Sequence, residues 1–424
     1  MKPWLCVSFL LVNVIISPAV VAQDSTKTID SVSASDSALS GAINIFVDCP
    51  TCDQNYFKTE ITFVNFVRDR QLADVHILIT RQSTGALGIE HTIEFIGQGK
   101  YAAMRDTLKY VSKESDSEDI KRQGLVKSIK LGLVRFVSHT GVRDNLEVTY
   151  SKPSVANAVK DKWNYWVFSI SSNGWTNGQK STNQFYIYGQ ITARRTTEML
   201  KIRLSANSSY SENRYDYGDF KLTSISRSRG ASGSVYWGLD GHWSTGVSGG
   251  IYGSTFDNTK VEVYGSAGLE YDVFPYKVST RRQLRLQYRV GTYYDEFREI
   301  TIYDKYRSWL GYESISANLS LIQPWGSVSG SVSGSHFFHD FSKNRLSIQN
   351  NLSLKLFSGF SFTLDGYVSW IHDQISLSAA GATQQEILLQ RRELATSYEY
   401  WASFGISYTF GSIYSTIVNP RFGN

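Results

Sequence analysis

The chain has 424 residues, with 43 Lys and Arg against 38 Asp and Glu, three Cys, seven Pro and 14% aromatics led by 26 Tyr. Hydrophobes at 42% exclude intrinsic disorder; the few Cys exclude a disulfide scaffold and the few Pro exclude collagen or mucin. A mean hydropathy of -0.24 excludes a helical membrane protein. A polar average crowded with Tyr, Phe and Trp points instead to alternating strands with aromatic girdles. The length allows two to three domains at about 150 residues each.

Residues 1–22 open on Lys2, continue through an apolar run from Leu5 to Ile16 and end on small residues up to Ala22. A positive start, a short apolar stretch and small residues at the cut predict a secretory signal. Residues 23–41, rich in Ser, Thr, Asp and Ala, are read as a mobile leader. Beyond the signal no stretch approaches the roughly 18 apolar residues of a membrane helix. A membrane could then be crossed only by a barrel, because helices and closed barrels alone satisfy every backbone group in hydrocarbon.

Residues 42–140 mix strand and helix signals. The runs 42–47, 74–80 and 91–97 read as strands, with a turn at 83–88 making the last two a hairpin, and 107–111 as a fourth. Asp53 is expected to cap a helix running to about Val67. Ser117-Glu118-Asp119 opens another to about His139, with Leu125, Ile129 and Leu133 at helical spacing. His76 and His91 are expected to face each other across the hairpin as a surface pair. The order β-α-β-β-β-α predicts a small α+β domain. It resembles the small periplasmic α/β modules at the front of TolB-type and curli-secretion-type proteins. Residues 141–162 are taken as a linker.

From Trp163 the grammar changes to long alternating segments. Leu284, Leu286, Tyr288 and Val290 oppose Arg285, Gln287, Arg289 and Gly291; Leu200, Ile202 and Leu204 oppose Lys201, Arg203 and Ser205. A soluble sandwich also alternates. These segments, however, exceed the usual soluble strand of about 5–6 residues and match the 9–11 that span a bilayer. Short turns (195–197, 241–244, 275–279, 323–326, 358–359) alternate with a mostly longer set (172–182, 212–218, 296–305, 374–395), as in outer-membrane barrels. About twelve strands are predicted: 163–171, 183–194, 199–210, 220–239, 246–256, 260–274, 281–294, 308–321, 327–338, 345–356, 360–371 and 396–410. The fourth is overlong, and 230–234 could divide it. The last, with Phe404, Ile406, Tyr408 and Phe410, resembles the aromatic terminal strand by which outer-membrane proteins are recognised for insertion, although residues 411–424 follow it. The fold class is mainly β: a 12-stranded antiparallel transmembrane barrel over 163–411, a tail at 412–424, and the α+β domain on the periplasmic side.

Few residues invite chemistry. Cys49-Pro50-Thr51-Cys52 lies between a strand and a helix, where a thiolate gains from the helix dipole. A structural disulfide, a redox pair or a metal ligand pair all remain open. Lys201, Arg203, Glu262, Glu270, Asp272, Arg285 and Arg289 fall on the polar face and are the lumen-facing candidates. Residues 160–424 carry a surplus of bases and 23–159 a slight acidic one. That surplus favours weak anion selectivity in an open pore, unless mutual pairing fills the lumen. Ser335 and His336 bring to mind outer-membrane lipid hydrolases, but adjacent strand residues point to opposite faces. Residues 384–394, at helical spacing, could constrict or cap the mouth. No catalytic residue, metal, cofactor or nucleic acid is expected. The expected partners are outer-membrane lipid, the barrel-assembly machinery and a periplasmic protein bound by residues 42–140. The leading expectation is a channel or transport component; a filled barrel that anchors the α+β domain is the alternative, and an enzyme is not expected.

Overall fold

A computed structural model describes residues 39–149, 161–216, 218, 221–380, 394–416, 418 and 421. The expected signal, nearly all of the leader, the middle of the linker and residues 384–393 of the helical loop lie outside the described residues.

The first domain is a five-stranded sheet in the order β2-β1-β3-β4-β5. Its strands are β1 (Asn44–Asp48), β2 (Asn65–Phe66), β3 (Val75–Ser83), β4 (Ile89–Gly97) and β5 (Arg105–Ser112). Helix α1 (Gln54–Glu60) starts where the Asp53 carboxylate accepts from the Tyr56 amide at 2.9 Å. Helix α2 (Glu118–Val137) starts where the Ser117 hydroxyl accepts from the Ile120 amide. Each cap satisfies a donor that the first helical turn leaves orphaned. On α2, Leu125, Ile129, Leu133 and Phe136 recur every three or four residues and bury against Ile93 and Phe95 of the sheet. Gly132 permits the approach: a Cβ there would meet the Phe95 ring at 2.1 Å.

Two expectations for this domain are corrected. The first helix ends at Glu60, not Val67. Residues after it pair with β1 instead, the Asn65 amide donating to Ile43 O and the Val67 amide to Ile45 O, both at 2.9 Å. Tertiary pairing overrides the helical pattern there. His76 and His91 are neither opposed nor on the surface. The hairpin is centred on Ala86, so His76 meets Ile96 and His91 meets Arg81, and both imidazoles are buried.

The second domain is a 12-stranded sheet in which each strand pairs antiparallel with its sequence neighbours. The strands are β6 (Trp166–Gln179), β7 (Thr182–Thr196), β8 (Leu200–Asp216), β9 (Lys221–Gly238), β10 (Trp243–Ser254), β11 (Thr259–Asp272), β12 (Arg282–Phe297), β13 (Arg307–Gln323), β14 (Gly326–Phe337), β15 (Asp340–Phe357), β16 (Phe360–Ile371) and β17 (Tyr398–Tyr408). The overlong β9 is continuous through Gly230. Residues expected as loops at 172–182 and 212–218 largely extend β6 and β8, because Asn173 to Gln179 pair with Tyr188 to Thr182. Among the described residues β6 pairs only with β7 and β17 only with β16. An even count sets these two antiparallel, the orientation in which a closed wall joins them.

The apolar face of this sheet is the exposed one. Ile170, Ile251, Val263, Leu286, Ile315 and Phe404 all stand open. A soluble monomer rarely exposes more than a few hundred Å² of contiguous apolar surface. Aromatic pairs mark both ends of the band, Trp243 with Tyr271 near the short turns and Tyr294 with Trp309 near the opposite rim. This is the wall of a transmembrane β-barrel, with lipid as the solvent of its outer face.

The α+β domain docks on the short-turn end of the wall. Glu94 pairs with Arg281, and Asp48 with Lys355 at 2.7 Å. The Gly359 amide donates to Asp69 Oδ2 at 2.6 Å, and Arg70 donates to Lys355 O. The segment after β17 then returns to the first domain. Tyr414 bridges Val67 antiparallel, with Arg68 N donating to Ile413 O at 3.0 Å and Ser415 N to Phe66 O at 2.8 Å. The C-terminal segment thus covers the β2 edge, which would otherwise present unpaired backbone groups.

Candidate functional site

Register decides which side chains share the lumen. Arg203 lies opposite Ser234, Ser234 opposite Ser248, Ser248 opposite Ser266, and Ser266 opposite Gly291 of the strand that carries Arg285, Gln287 and Arg289. Period-two alternation puts all of these on one face, opposite the exposed apolar band. Serine predominates there: Ser205 bonds Ser232, Ser248 bonds Ser266 and Ser347 bonds Ser369, each at 2.8–2.9 Å. Small hydroxyls satisfy one another and leave space between the walls.

At the end nearest the α+β domain this face lines a cavity of about 590 Å³. Lys201, Arg203, Arg285 and Arg289 reach it, and Gln82 of β3 closes part of its floor. Among the described residues no carboxylate lies within 4.0 Å of any of these four cations. The one acidic lumen candidate beside them, Glu270, is already engaged, accepting from Tyr276 Oη at 2.9 Å and from Gln287 Nε2. Arg289 lies flat over Gly268, where a Cβ would meet its Cγ at 2.8 Å. Arg285 Nε is buried without a partner, as is Nε of Arg194, which lies opposite Arg203. Unpaired guanidinium groups around a polar cavity make an anion-attracting surface.

Of the seven candidates, five therefore converge on this vestibule: Lys201, Arg203, Glu270, Arg285 and Arg289. Glu262 keeps to the same face but stands toward the opposite rim, opposite Asp295 in register, where Asp257 accepts from Tyr252. Glu262, Asp295 and Asp257 thus gather away from the four cations of the vestibule. Asp272 does not line the lumen. It is fully buried, and its Oδ1 accepts from the Phe274 and Leu284 amides at 3.2 and 3.1 Å, pinning the turn between β11 and β12. Its place in the alternation was right, but a strand-end carboxylate beside free amides becomes a turn cap. Sequence reasoning put Gln287 on the polar face without making it a candidate, and missed Arg194 and Tyr276. Arg194 is the last residue of its predicted strand, and Tyr276 lies in a turn, outside any alternation.

Ser335 faces the lumen and His336 the outside, where Nε2 meets Glu313 at 2.8 Å and Tyr288 donates to the same carboxylate. Phe404, Ile406 and Tyr408 of the terminal strand, with Phe410 just beyond it, are all exposed on the lipid-facing side. Cys49 and Cys52 form a disulfide between β1 and α1.

No protein-family model and no curated protein sequence matches this chain. Solved structures similar to it are outer-membrane barrels. The NanC porin aligns over 57% of this chain and 99% of its own, at 9% identity and a TM-score of 0.28. The translocator domain of the autotransporter NalP from Neisseria meningitidis covers 58% of this chain and 82% of its own, at 10% identity and 0.18. CdiB from Acinetobacter baumannii covers 87% and 74%, at 7% identity and 0.27. The class of protein rests on the strands and faces described above: a transmembrane β-barrel carrying a small α+β module at one mouth.

Proposed function

We propose that this chain is a bacterial outer-membrane barrel that passes small anionic solutes, with its α+β module seated at the periplasmic mouth. The observation that carries this reading is the set of four cations lining the vestibule, none of them in an ion pair among the described residues although Glu198, Asp240 and Glu270 line the same cavity. An anion entering from the module's side meets Lys201 and Arg203 of β8 and Arg285 and Arg289 of β12. Hydroxyls of Ser248 and Ser266 replace part of its hydration. A channel of this kind must bind well enough to admit and weakly enough to release, and four separated cations without a rigid cage fit that requirement. Reconstitution of the full chain in planar bilayers under a KCl gradient tests it. Chloride-preferring conductance is expected; a folded but silent barrel would overturn the reading.

The second reading is a filled barrel that anchors the module for a periplasmic partner. It is favoured by the contacts that bind the module to its own wall at Glu94, Asp48 and Asp69, and to the segment after β17 at Val67. Crosslinking from residues 42–140 in intact cells tests it, and recovery of no partner would count against it. Insertion by the barrel-assembly machinery through the lipid-facing Phe404, Ile406, Tyr408 and Phe410 belongs to both readings.

A further inference from the structure

The Cys49–Cys52 disulfide is not absorbed by either reading, and its two sulfurs sit in unlike surroundings. Cys49 closes β1 inside the module's hydrophobic core at 3% exposure. Cys52 is only partly buried and lines a solvent-connected cavity of about 510 Å³. A purely structural staple needs no such access to one sulfur.

The rest of that cavity carries groups suited to a polar guest. Arg122 is held by Asp53 and Asp119, and Lys121 by Glu118 at 2.7 Å. Arg81 by contrast meets only the Thr51 hydroxyl, at 2.8 Å, and no carboxylate within 4.0 Å among the described residues. His91 is 5% exposed, lines the same cavity, and its Nδ1 has no partner. Burial, with the Arg81 cation beside it, holds this imidazole below its usual pKa. It is therefore neutral near physiological pH. A disulfide whose outer cysteine lines a solvent-connected cavity shared with a cation and a neutral imidazole is the environment in which exchange chemistry is found.

We propose that the module is a thiol–disulfide exchange site, with Cys52 as the attacked sulfur and a peptide bearing two thiols as its substrate. The proposal is independent of whether the barrel conducts. One substrate thiol gives up its proton and attacks Cys52 Sγ. The Cys49–Cys52 bond breaks, a substrate–Cys52 disulfide forms, and Cys49 leaves as a thiolate that takes up a proton. The second substrate thiolate then attacks the substrate sulfur of that mixed disulfide. The substrate departs as a disulfide and Cys52 departs as a thiolate that is protonated. The module has gained two electrons and two protons, and the dithiol has lost the same.

The experiment uses the full chain in detergent. Native protein is titrated with dithiothreitol and freed thiols are counted by alkylation and mass, while near-ultraviolet circular dichroism follows the module fold. Reduction with the fold retained is expected; reduction only together with loss of the fold would overturn the proposal. Glutathione disulfide is then offered to Cys49→Ser and Cys52→Ser. Cys49→Ser is expected to form the mixed disulfide at least about tenfold faster, since access governs such rates. Equal rates, or a faster Cys52→Ser, would overturn the assignment of Cys52. If Cys49→Ser fails to fold, the dithiothreitol titration of the wild type still decides. Arg81→Ala should slow reaction with anionic glutathione disulfide more than with neutral hydroxyethyl disulfide; identical slowing would remove Arg81 from the site.

Discussion

The α+β module and the barrel wall use the same residue types in opposite senses. In the module Phe57, Phe95, Phe136, Ile77 and Ile129 are fully buried, and the sheet and α2 exist to hide them. In the wall Ile170, Ile315, Tyr400 and Phe404 stand exposed on every side, while Ser, Thr and Arg turn inward. One domain is folded by water, the other by water inside and lipid outside. The driving force is the same removal of apolar surface from water, but the wall removes it only once a membrane surrounds it. A mutation should therefore be felt according to which solvent its side chain faces.

The comparison is broken most sharply in the module core. Phe136→Ala removes a ring packed between Phe95 and Tyr101 and should cost about 3–5 kcal/mol. Protease should then digest the module while the wall keeps its heat-dependent electrophoretic shift. Next comes the lipid face. Ile315→Arg should cost about 2–4 kcal/mol of wall stability near the membrane middle, read as a lower urea midpoint in vesicles. The lumen-facing Ser333→Arg in the neighbouring strand should be nearly silent. If both cost the same, the assignment of faces is wrong.

The junction between the two domains follows. Removing the cation in Lys355→Ala leaves Asp48 half-buried beside His76 and should loosen docking by about 1–2 kcal/mol. Limited proteolysis or crosslinking across the junction measures it. Burial pushes the Asp48 carboxyl up, but the His76 hydrogen bond and the Lys355 ammonium outweigh it and hold it below the usual carboxylate range. A depressed carboxyl contributes stability that is present above pH 3.8 and lost as pH falls through its folded value. The wild-type junction should hold at neutral pH and loosen only under strong acid, and Lys355→Ala should loosen at less acid pH. The smallest effect on stability, within about 0.5 kcal/mol, is expected for Arg285→Glu with Arg289→Glu. That pair should nevertheless reverse the sign of the zero-current potential under a KCl gradient.

Much of the wall was legible because period-two alternation leaves so little choice. Each of the twelve predicted segments has an observed strand, and Lys201, Arg203, Arg285 and Arg289 fell on the inner face by parity alone. What parity cannot report is height along the strand or engagement. Glu262 and Glu270 share a face, yet one stands among acids at the far rim and the other is consumed by Tyr276 and Gln287. Asp272 has the right parity and no lumen exposure, because the turn it closes needs its oxygens. In the module α2 was readable from its spacing, whereas β2 was not. Its two residues are held in a strand by hydrogen bonds to β1, far back along the chain.

The amino-acid sequence by itself determined the strand count of the wall and its two faces. Both follow from local periodicity and composition, which are properties of neighbours along the chain. Only the tertiary structure decided that four cations converge on one vestibule, that the module sits on its own barrel, and that the C-terminal segment completes the module's sheet. It also decided which cysteine of the Cys49–Cys52 pair lines a cavity and which lies in the core. Those facts depend on which distant segments meet, and contact energies between residues tens to hundreds of positions apart leave no periodic trace in the chain.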